Sequence, residues 1–166
     1  MYILKEASIE DAERCYEILD SGRSFQREQG FVQWSDDFPN LDTVKNDILN
    51  KKGYKLLCNG EIIGYMYIAF DGEKDYDNID GSWLYNGEFA TVHRVAFKPE
   101  YRGKGLAKIT FDFIKELCKE KNFKSIRMDT DEKNTRMQHV LEKNGFKKCG
   151  TINYNGGLLF VYENLL

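Results

Sequence analysis

Residues 93–108 read His-Arg-Val-Ala-Phe-Lys-Pro-Glu-Tyr-Arg-Gly-Lys-Gly-Leu-Ala-Lys, and the fold turns on this stretch. The chain entering it, 88–98, is β-branched and aromatic enough for a strand, which Pro99 closes because proline cannot donate to a sheet ladder. After Glu100 and Tyr101 comes a turn, Arg102-Gly103-Lys104-Gly105, and then a helix expected over 105–122, with Leu106, Ile109, Phe113 and Leu117 on one stripe. The first N–H groups of such a helix have no intrahelical acceptor. Glycines at 103 and 105 keep side chains off those donors, and Arg102 and Lys104 add formal charge to the positive end of the helix dipole. A phosphate or pyrophosphate suits this arrangement.

Two nucleotide motifs fail here on specifics. A Walker loop needs a glycine five residues before Gly103, where Lys98 stands. A dinucleotide fingerprint needs a third glycine after Gly103 and Gly105, but Lys108 follows, and no acidic residue on a following strand is placed to read a ribose.

Upstream, Tyr2–Glu6 reads as a strand. Ser8 or Asp11 then caps a helix carrying Ala12, Cys15, Ile18 and Leu19 at helical spacing. A polar, aromatic stretch over 25–39 contains Gln33-Trp34 and Phe38-Pro39. Asp42 opens a second helix, with Val44, Ile48 and Leu49 sharing a face and Gly53 ending it. Two β-rich runs, 54–58 and 61–70, flank Asn59-Gly60, the pair a type I′ hairpin turn prefers. Residues 71–87 form a polar loop with five acidic residues. It fails as a calcium loop, with Tyr76 where glycine is required and Ser82 where a bidentate glutamate is, so no metal is expected. Downstream come a strand over 125–130, a helix over 134–143 ended by Asn144-Gly145, and strands over 146–153 and 158–164 around Asn155-Gly156-Gly157. This order implies a mixed α/β (α+β) sheet flanked by helices, with 1–166 forming a single domain.

The segment Arg102-x-x-Gly105-x-Ala107 resembles the acyl-CoA motif of the GNAT superfamily of N-acetyltransferases. Val95-Ala-Phe-Lys-Pro99 is similar to the strand before that motif. Asp129-Thr-Asp-Glu-Lys-Asn134 and Val140-Leu-Glu-Lys-Asn-Gly-Phe146 are similar to the family's second motif. The resemblance spans residues 2–163. It implies a central mixed sheet of about six or seven strands with about four helices, and a splayed strand pair whose exposed edge binds acyl-CoA. By position, Val95, Ala96 and Phe97 would meet the pantetheine arm, and Arg102, Gly103, Lys104, Gly105, Leu106 and Ala107 the pyrophosphate. Asn134 would face the pantetheine or a reaction water, and it also fits an ordinary helix N-cap.

The implied reaction is direct attack of a neutral amine on the acetyl-CoA thioester. An alkylammonium has a pKa near ~10, so a general base helps at neutral pH. Glu88 and His93 are the candidates; strand alternation sets them on opposite faces unless a bulge intervenes. The Val95 or Phe97 N–H would steady the oxyanion. Many family members carry a tyrosine acid seven residues after the asparagine; here that position is Leu141. His139, Tyr154 and Tyr162 lie off that position, leaving solvent to protonate the thiolate. Gln33 and Trp34, with Trp83 and Tyr85 of the long loop, would wall an acceptor pocket, though core packing also explains each. The expected acceptor is a small-molecule amine. The alternatives are a protein lysine or N-terminus, or a non-catalytic acyl-CoA-binding sensor.

Composition narrows the classes further. A net charge of −3 gives no basic face for nucleic acid. Cys15, Cys58, Cys118 and Cys149 form no CxxC pair, so four reduced thiols are expected. No apolar leader and no run of ~18 apolar residues is visible, so a cytoplasmic location without membrane contact is expected. A homodimer stays open.

Overall fold

The structure, a computed structural model, describes all 166 residues, Met1–Leu166. Four α-helices accompany a mixed sheet of eight strands in the order β1-β2-β3-β5-β6-β8-β7-β4. The chain divides into two compact units, Met1–Ile68 with His93–Leu106, and Ala69–Val92 with Ala107–Leu166.

In the first unit, β1 (Tyr2–Glu6) pairs antiparallel with β2 (Gly53–Cys58), and β2 with β3 (Glu61–Ala69). Asn59 and Gly60 take φ of 49° and 84°, the two positive values a type I′ turn demands. Helix α1 (Ala12–Glu28) buries Ala12, Cys15, Ile18 and Leu19, as their spacing requires. It runs further than the polar composition after Phe25 suggests.

Helix α2 (Leu41–Leu49) departs from expectation at both ends. Asn40, not Asp42, is its cap: its side chain accepts the Thr43 N–H while Thr43 Oγ accepts the Asn40 N–H. Lys51, at φ 59°, turns the chain after it, and Gly53 belongs to β2. Leu49 is exposed and Asp47 buried, because Asp47 has polar partners inside. The core of this unit gathers Cys15, Ile18, Leu19, Val44, Ile48, Tyr65 and Ala96.

In the second unit, β6 (Ser125–Asp131), β8 (Gly157–Leu165) and β7 (Lys147–Tyr154) pair antiparallel in that order. Asn155 and Gly156 repeat the double positive φ at the last hairpin. The strand beyond the expected count is β4 (Asp80–Gly81), which pairs with Thr151 and Gly150 inside the stretch read as loop. Gly81 and Gly150 make this close approach feasible, since a Cβ on Gly81 would sit 2.1 Å from the Cys149 carbonyl oxygen.

Strand β5 (Ala90–Phe97) pairs in parallel with β6 at Ala90–Ile126 and Thr91–Arg127, and α3 (Leu106–Glu120) links the two. The buried face of α3 carries Leu106, Phe111, Ile114 and Cys118, with Ile109, Phe113 and Leu117 only half-buried. The stripe is therefore rotated from the expected one, and Phe111 stacks on Phe146 with centroids 5.3 Å apart. Helix α4 (Thr135–Lys143) ends at Asn144 and Gly145, the glycine at φ 92°. No helix is long and apolar enough to cross a membrane.

All four cysteines are free thiols. Burial pushes Cys15 and Cys118 up to about 12. At pH 8 neither forms appreciable thiolate, the reactive form. The native protein is therefore expected to react with a thiol reagent at Cys58 and more slowly at Cys149, a half-buried residue whose thiol pKa burial also raises, with Cys15 and Cys118 labelled only after denaturation; titration of labelled sites by mass spectrometry checks this.

Candidate functional site

The first half of the site is the strand β5, and it is not a regular strand. Arg94 sits at φ 54°, a left-handed conformation costing an L-residue about 1–2 kcal/mol. In a regular pleat His93 and Arg94 would point to opposite faces. Here both meet Tyr67: the His93 ring lies 5.5 Å from the Tyr67 ring, and the Arg94 guanidinium 4.5 Å from its centroid. Two consecutive side chains on one face are the mark of a β-bulge, which bends a strand and takes a residue's polar main-chain groups out of the ladder. The bend falls directly before Val95, Ala96 and Phe97, the residues expected to meet a pantetheine arm.

An ion pair sits at the kink. Arg94 Nε donates to Asp47 Oδ2 at 3.1 Å and Nη2 to Oδ1 at 2.7 Å. The fully buried Tyr65 hydroxyl adds a third bond to Asp47 Oδ2 at 2.8 Å. Burial and then the Asp47 carboxylate push the Tyr65 hydroxyl far above its ordinary pKa, so it remains a donor. Downstream of the kink, Ala96 turns its side chain into the core, leaving only its main chain for a ligand, while Phe97 lies against Gly64, where a Cβ would come within 2.9 Å of its ring.

The second half is the turn into α3. Pro99–Tyr101 form a single 3-10 turn, after which Gly103 and Gly105 take φ of 74° and 76°. A Cβ at either glycine would meet nothing within 4 Å. The turn is thus open on the side where a larger residue would stand, and the first N–H groups of α3 lack helical acceptors. Lys104 is exposed here. Arg102 is not: its guanidinium lies 4.5 Å from the Phe25 ring centroid and donates to Ser21 Oγ at 3.1 Å. Helix α1 also supplies Gly22, whose ideal Cβ position lies 3.1 Å from Trp34 and 3.3 Å from Ala96. Ser21, Gly22 and Phe25 therefore gather three expected site residues, Trp34, Ala96 and Arg102, on one stretch of α1. Trp34 packs against the core, and its main-chain N–H donates to Gln26 Oε1 at 3.1 Å; Gln33 beside it is half-buried.

The remaining expected residues lie in the second unit. Glu88 is exposed in irregular chain, since β5 begins at Ala90 and not at 88. The kink at Arg94 lies beyond both Glu88 and His93 and so does not bring the two together. Asn134 caps α4 by accepting the Met137 N–H at 3.0 Å, leaving its amide NH2 for other partners. Ala107 is half-buried in the first turn of α3. Leu141 is fully buried, His139 exposed. Tyr162 is buried, and burial, then Glu142, raise its hydroxyl pKa, making it a poor acid.

Trp83 and Tyr85 are tied down from beneath. The Trp83 indole N–H donates to the Tyr76 carbonyl at 2.9 Å, and its ring lies 4.2 Å from the Arg127 guanidinium carbon. Arg127 Nη2 donates to the Tyr85 carbonyl at 2.6 Å. The fully buried Glu163 carboxylate accepts the Leu84 and Tyr85 N–H groups, at 2.5 and 3.1 Å. Tyr76, a buried residue of the same loop, donates to Asp129 Oδ2 at 2.6 Å, and burial and that carboxylate raise its hydroxyl pKa well above the ordinary value. Asp47, Arg94, Arg127 and Glu163 were not picked out by sequence. Charged residues inside otherwise apolar strand and helix faces are the signal that would have found them.

A family model described as the acetyltransferase (GNAT) family matches residues 11–146. A Bacillus subtilis (strain 168) protein, provisionally assigned as a ribosomal protein bS18-alanine N-acetyltransferase, is 30% identical over 97 residues. That match covers 58% of this chain and 62% of that relative's length. The crystal structure of a GNAT-family acetyltransferase from Streptococcus agalactiae 2603 matches at TM-score 0.90 and 28% identity, covering 99% of this chain and 95% of that one. The PaiA N-acetyltransferase of Thermoplasma acidophilum, solved with coenzyme A, shares the fold at TM-score 0.76 and 18% identity, over 100% and 99% of the chains. AAC(6')-Ib, solved with ribostamycin and coenzyme A, shares it at 0.71 and 22%, over 99% and 93%.

Proposed function

Because the chain belongs to the GNAT acetyltransferase family, we propose that it moves an acetyl group from acetyl-CoA to a primary amine of a small molecule. Membership makes it an acetyl-CoA-dependent acyltransferase; the acceptor and the residue roles are our reading. One observation carries the placement of acetyl-CoA: two left-handed glycines with open space at their Cβ positions lead into α3. The main chain of Gly103, Gly105, Leu106 and Ala107 and the Lys104 ammonium bind the diphosphate. Arg102 contributes charge to the turn from a side chain that α1 holds in place. Val95, Ala96 and Phe97 offer main-chain groups to the pantetheine arm.

The thioester supplies an activated acetyl group. The neutral amine nitrogen attacks the carbonyl carbon, a C–N bond forms, the C–S bond breaks, and the thiolate takes a proton from solvent. The Val95 or Phe97 N–H receives the oxyanion. His93 takes the proton lost by the amine. It stands on β5 one residue before the kink, whereas Glu88 precedes the strand. Gln33 and Trp34, both half-buried, are the acceptor contacts of this reading in the first unit.

His93→Gln is expected to lower kcat/KM about 10²-fold or more and to remove the rise of rate with pH, the ordinary size of a general-base effect. Glu88→Gln should keep that rise. Transfer of the effect to Glu88→Gln would make the carboxylate the base. A limb unchanged in both variants would mean that no side-chain base of this kind operates.

The Bacillus relative's assignment favours a second reading, acetylation of a protein N-terminus. Thiol release from acetyl-CoA, followed across polyamines, amino acids, aminoglycosides and peptides with a free N-terminal alanine, separates the two. Small amines are expected to be turned over. Release with peptides alone overturns the small-molecule reading, and saturable coenzyme A binding with no release against any amine would leave a sensor.

A further inference from the structure

We infer that Arg94 is a positioning residue for acyl transfer: its ion pair with Asp47 locks the left-handed kink of β5, which aims the main chain of Val95–Phe97. The inference rests on the placement of the thioester arm along β5 proposed above.

Three observations lead to it. Arg94 adopts φ 54° in the middle of an eight-residue strand, a conformation the run Thr-Val-His-Arg-Val-Ala-Phe gives no local reason to enter. The guanidinium is then fixed on several sides, by a two-pronged bond to Asp47 and by the Tyr67 ring, with the Phe38 ring 5.9 Å away. Finally, Asp47 occupies the buried face of α2 between Val44 and Ile48, only 4% exposed. An aliphatic residue there would pack without desolvating a charge, and a buried ion pair adds little stability over such packing. What the pair does supply is direction. A side chain turned to this face by the kink finds a matching carboxylate, with Tyr65 holding that carboxylate in turn. A regular strand would turn residue 94 away from Asp47 and swing the following N–H and C=O groups with it. Those groups are the ones assigned to the arm and to the oxyanion.

The test compares two residues that both remove the guanidinium but differ in backbone freedom. Arg94→Ala and Arg94→Gly are each made in an Asp47→Asn background, so that no buried carboxylate is left unpaired. Glycine enters the left-handed region freely and alanine does not. Each variant is assayed with acetyl-CoA and the best amine from the screen, at a temperature where circular dichroism shows it folded. The alanine variant is expected to lose about 10- to 100-fold in kcat, the scale of a misplacement near 1 Å, with the amine KM within about twofold of wild type. The glycine variant should recover at least about tenfold of that loss. Equal, severe losses would mean that the guanidinium acts by itself and overturn the inference. Equal, near-wild-type kcat in both would show that the kink is not needed, and overturn it too. If either double variant fails to fold, Asp47→Asn alone carries the test. Its loosened latch should lower kcat without changing the amine KM, and an unchanged kcat would count against the lock. Loss of acetyl-CoA affinity in Gly105→Glu separates the two levels: when that variant loses binding and the alanine and glycine variants still match, only the Arg94 inference fails.

Discussion

Replacing Gly105 by glutamate is expected to remove detectable acetyl-CoA binding from a protein that still folds. The two halves of this expectation have different origins. Residue 105 sits at φ 76°, so any side chain there costs about 1–2 kcal/mol of backbone strain. A new Cβ meets nothing within 4 Å, so no packing clash adds to that cost. Against a total stability of about 5–15 kcal/mol the fold survives. The ligand fares worse. A carboxylate at the mouth of α3 places a negative charge against a diphosphate and takes up the helix-start N–H groups meant for it. An affinity loss of at least about 100-fold, roughly 2.7 kcal/mol, follows. Gly105→Ala separates the two contributions, because it keeps the strain and omits the charge; its affinity should fall much less while its melting temperature falls about as far. Titration calorimetry with acetyl-CoA, alongside thermal unfolding, measures both. Wild-type affinity in the glutamate variant would remove this turn from the binding site.

What the sequence made legible is local. Asn59-Gly60 and Asn155-Gly156 name their own turns because few other residue pairs accept two positive φ values. Asn134 reads as a cap because its oxygen needs only the N–H three residues on. The glycine turn before α3 was visible for the same reason. Illegible features depend on partners far along the chain. Arg94 and Asp47 are 47 residues apart, and nothing near either announces the other; without the pair, the left-handed residue in β5 has no signature. The same distance effect misled the reading of α2, which put Leu49 on the face of Val44 and Ile48, whereas Leu49 is exposed and Asp47 is the buried residue there. On α3 the difficulty was redundancy. Apolar residues at 106, 109, 111, 113, 114, 117 and 118 fit more than one stripe, and packing against Phe146 selects the side with Phe111. Trp83 and Tyr85 read as pocket walls or core packing, without the anchors that hold them, because Arg127 and Glu163 lie on strands far along the chain.

That hold is where the largest stability effect is expected. Glu163 is fully buried on β8 and accepts four hydrogen bonds, from Ser125 Oγ at 2.6 Å, Arg127 Nε at 2.9 Å, and the Leu84 and Tyr85 N–H groups. Arg127, 5% exposed, lies with its guanidinium carbon 4.2 Å from the Trp83 ring centroid and 4.0 Å from that of Phe89. Glu163→Ala would strip this cation of its counter-charge in a place water does not reach and leave two loop N–H groups without acceptors. Breaking one side of a buried pair costs about 3–5 kcal/mol. At about 2–4 °C per kcal/mol for a chain of this size, the melting temperature should drop by roughly 10 °C. The double variant Glu163→Leu, Arg127→Met is expected to regain most of that loss, since a buried pair replaced by apolar groups is often neutral. It should not regain the loop, whose N–H and C=O anchors are still gone. Limited proteolysis within residues 82–89 should therefore accelerate in the double variant even as its melting temperature recovers. A single variant as stable as wild type would show that the cation finds water or another partner. Recovery of both stability and protease resistance would show that the loop is held by its own packing and not by Glu163.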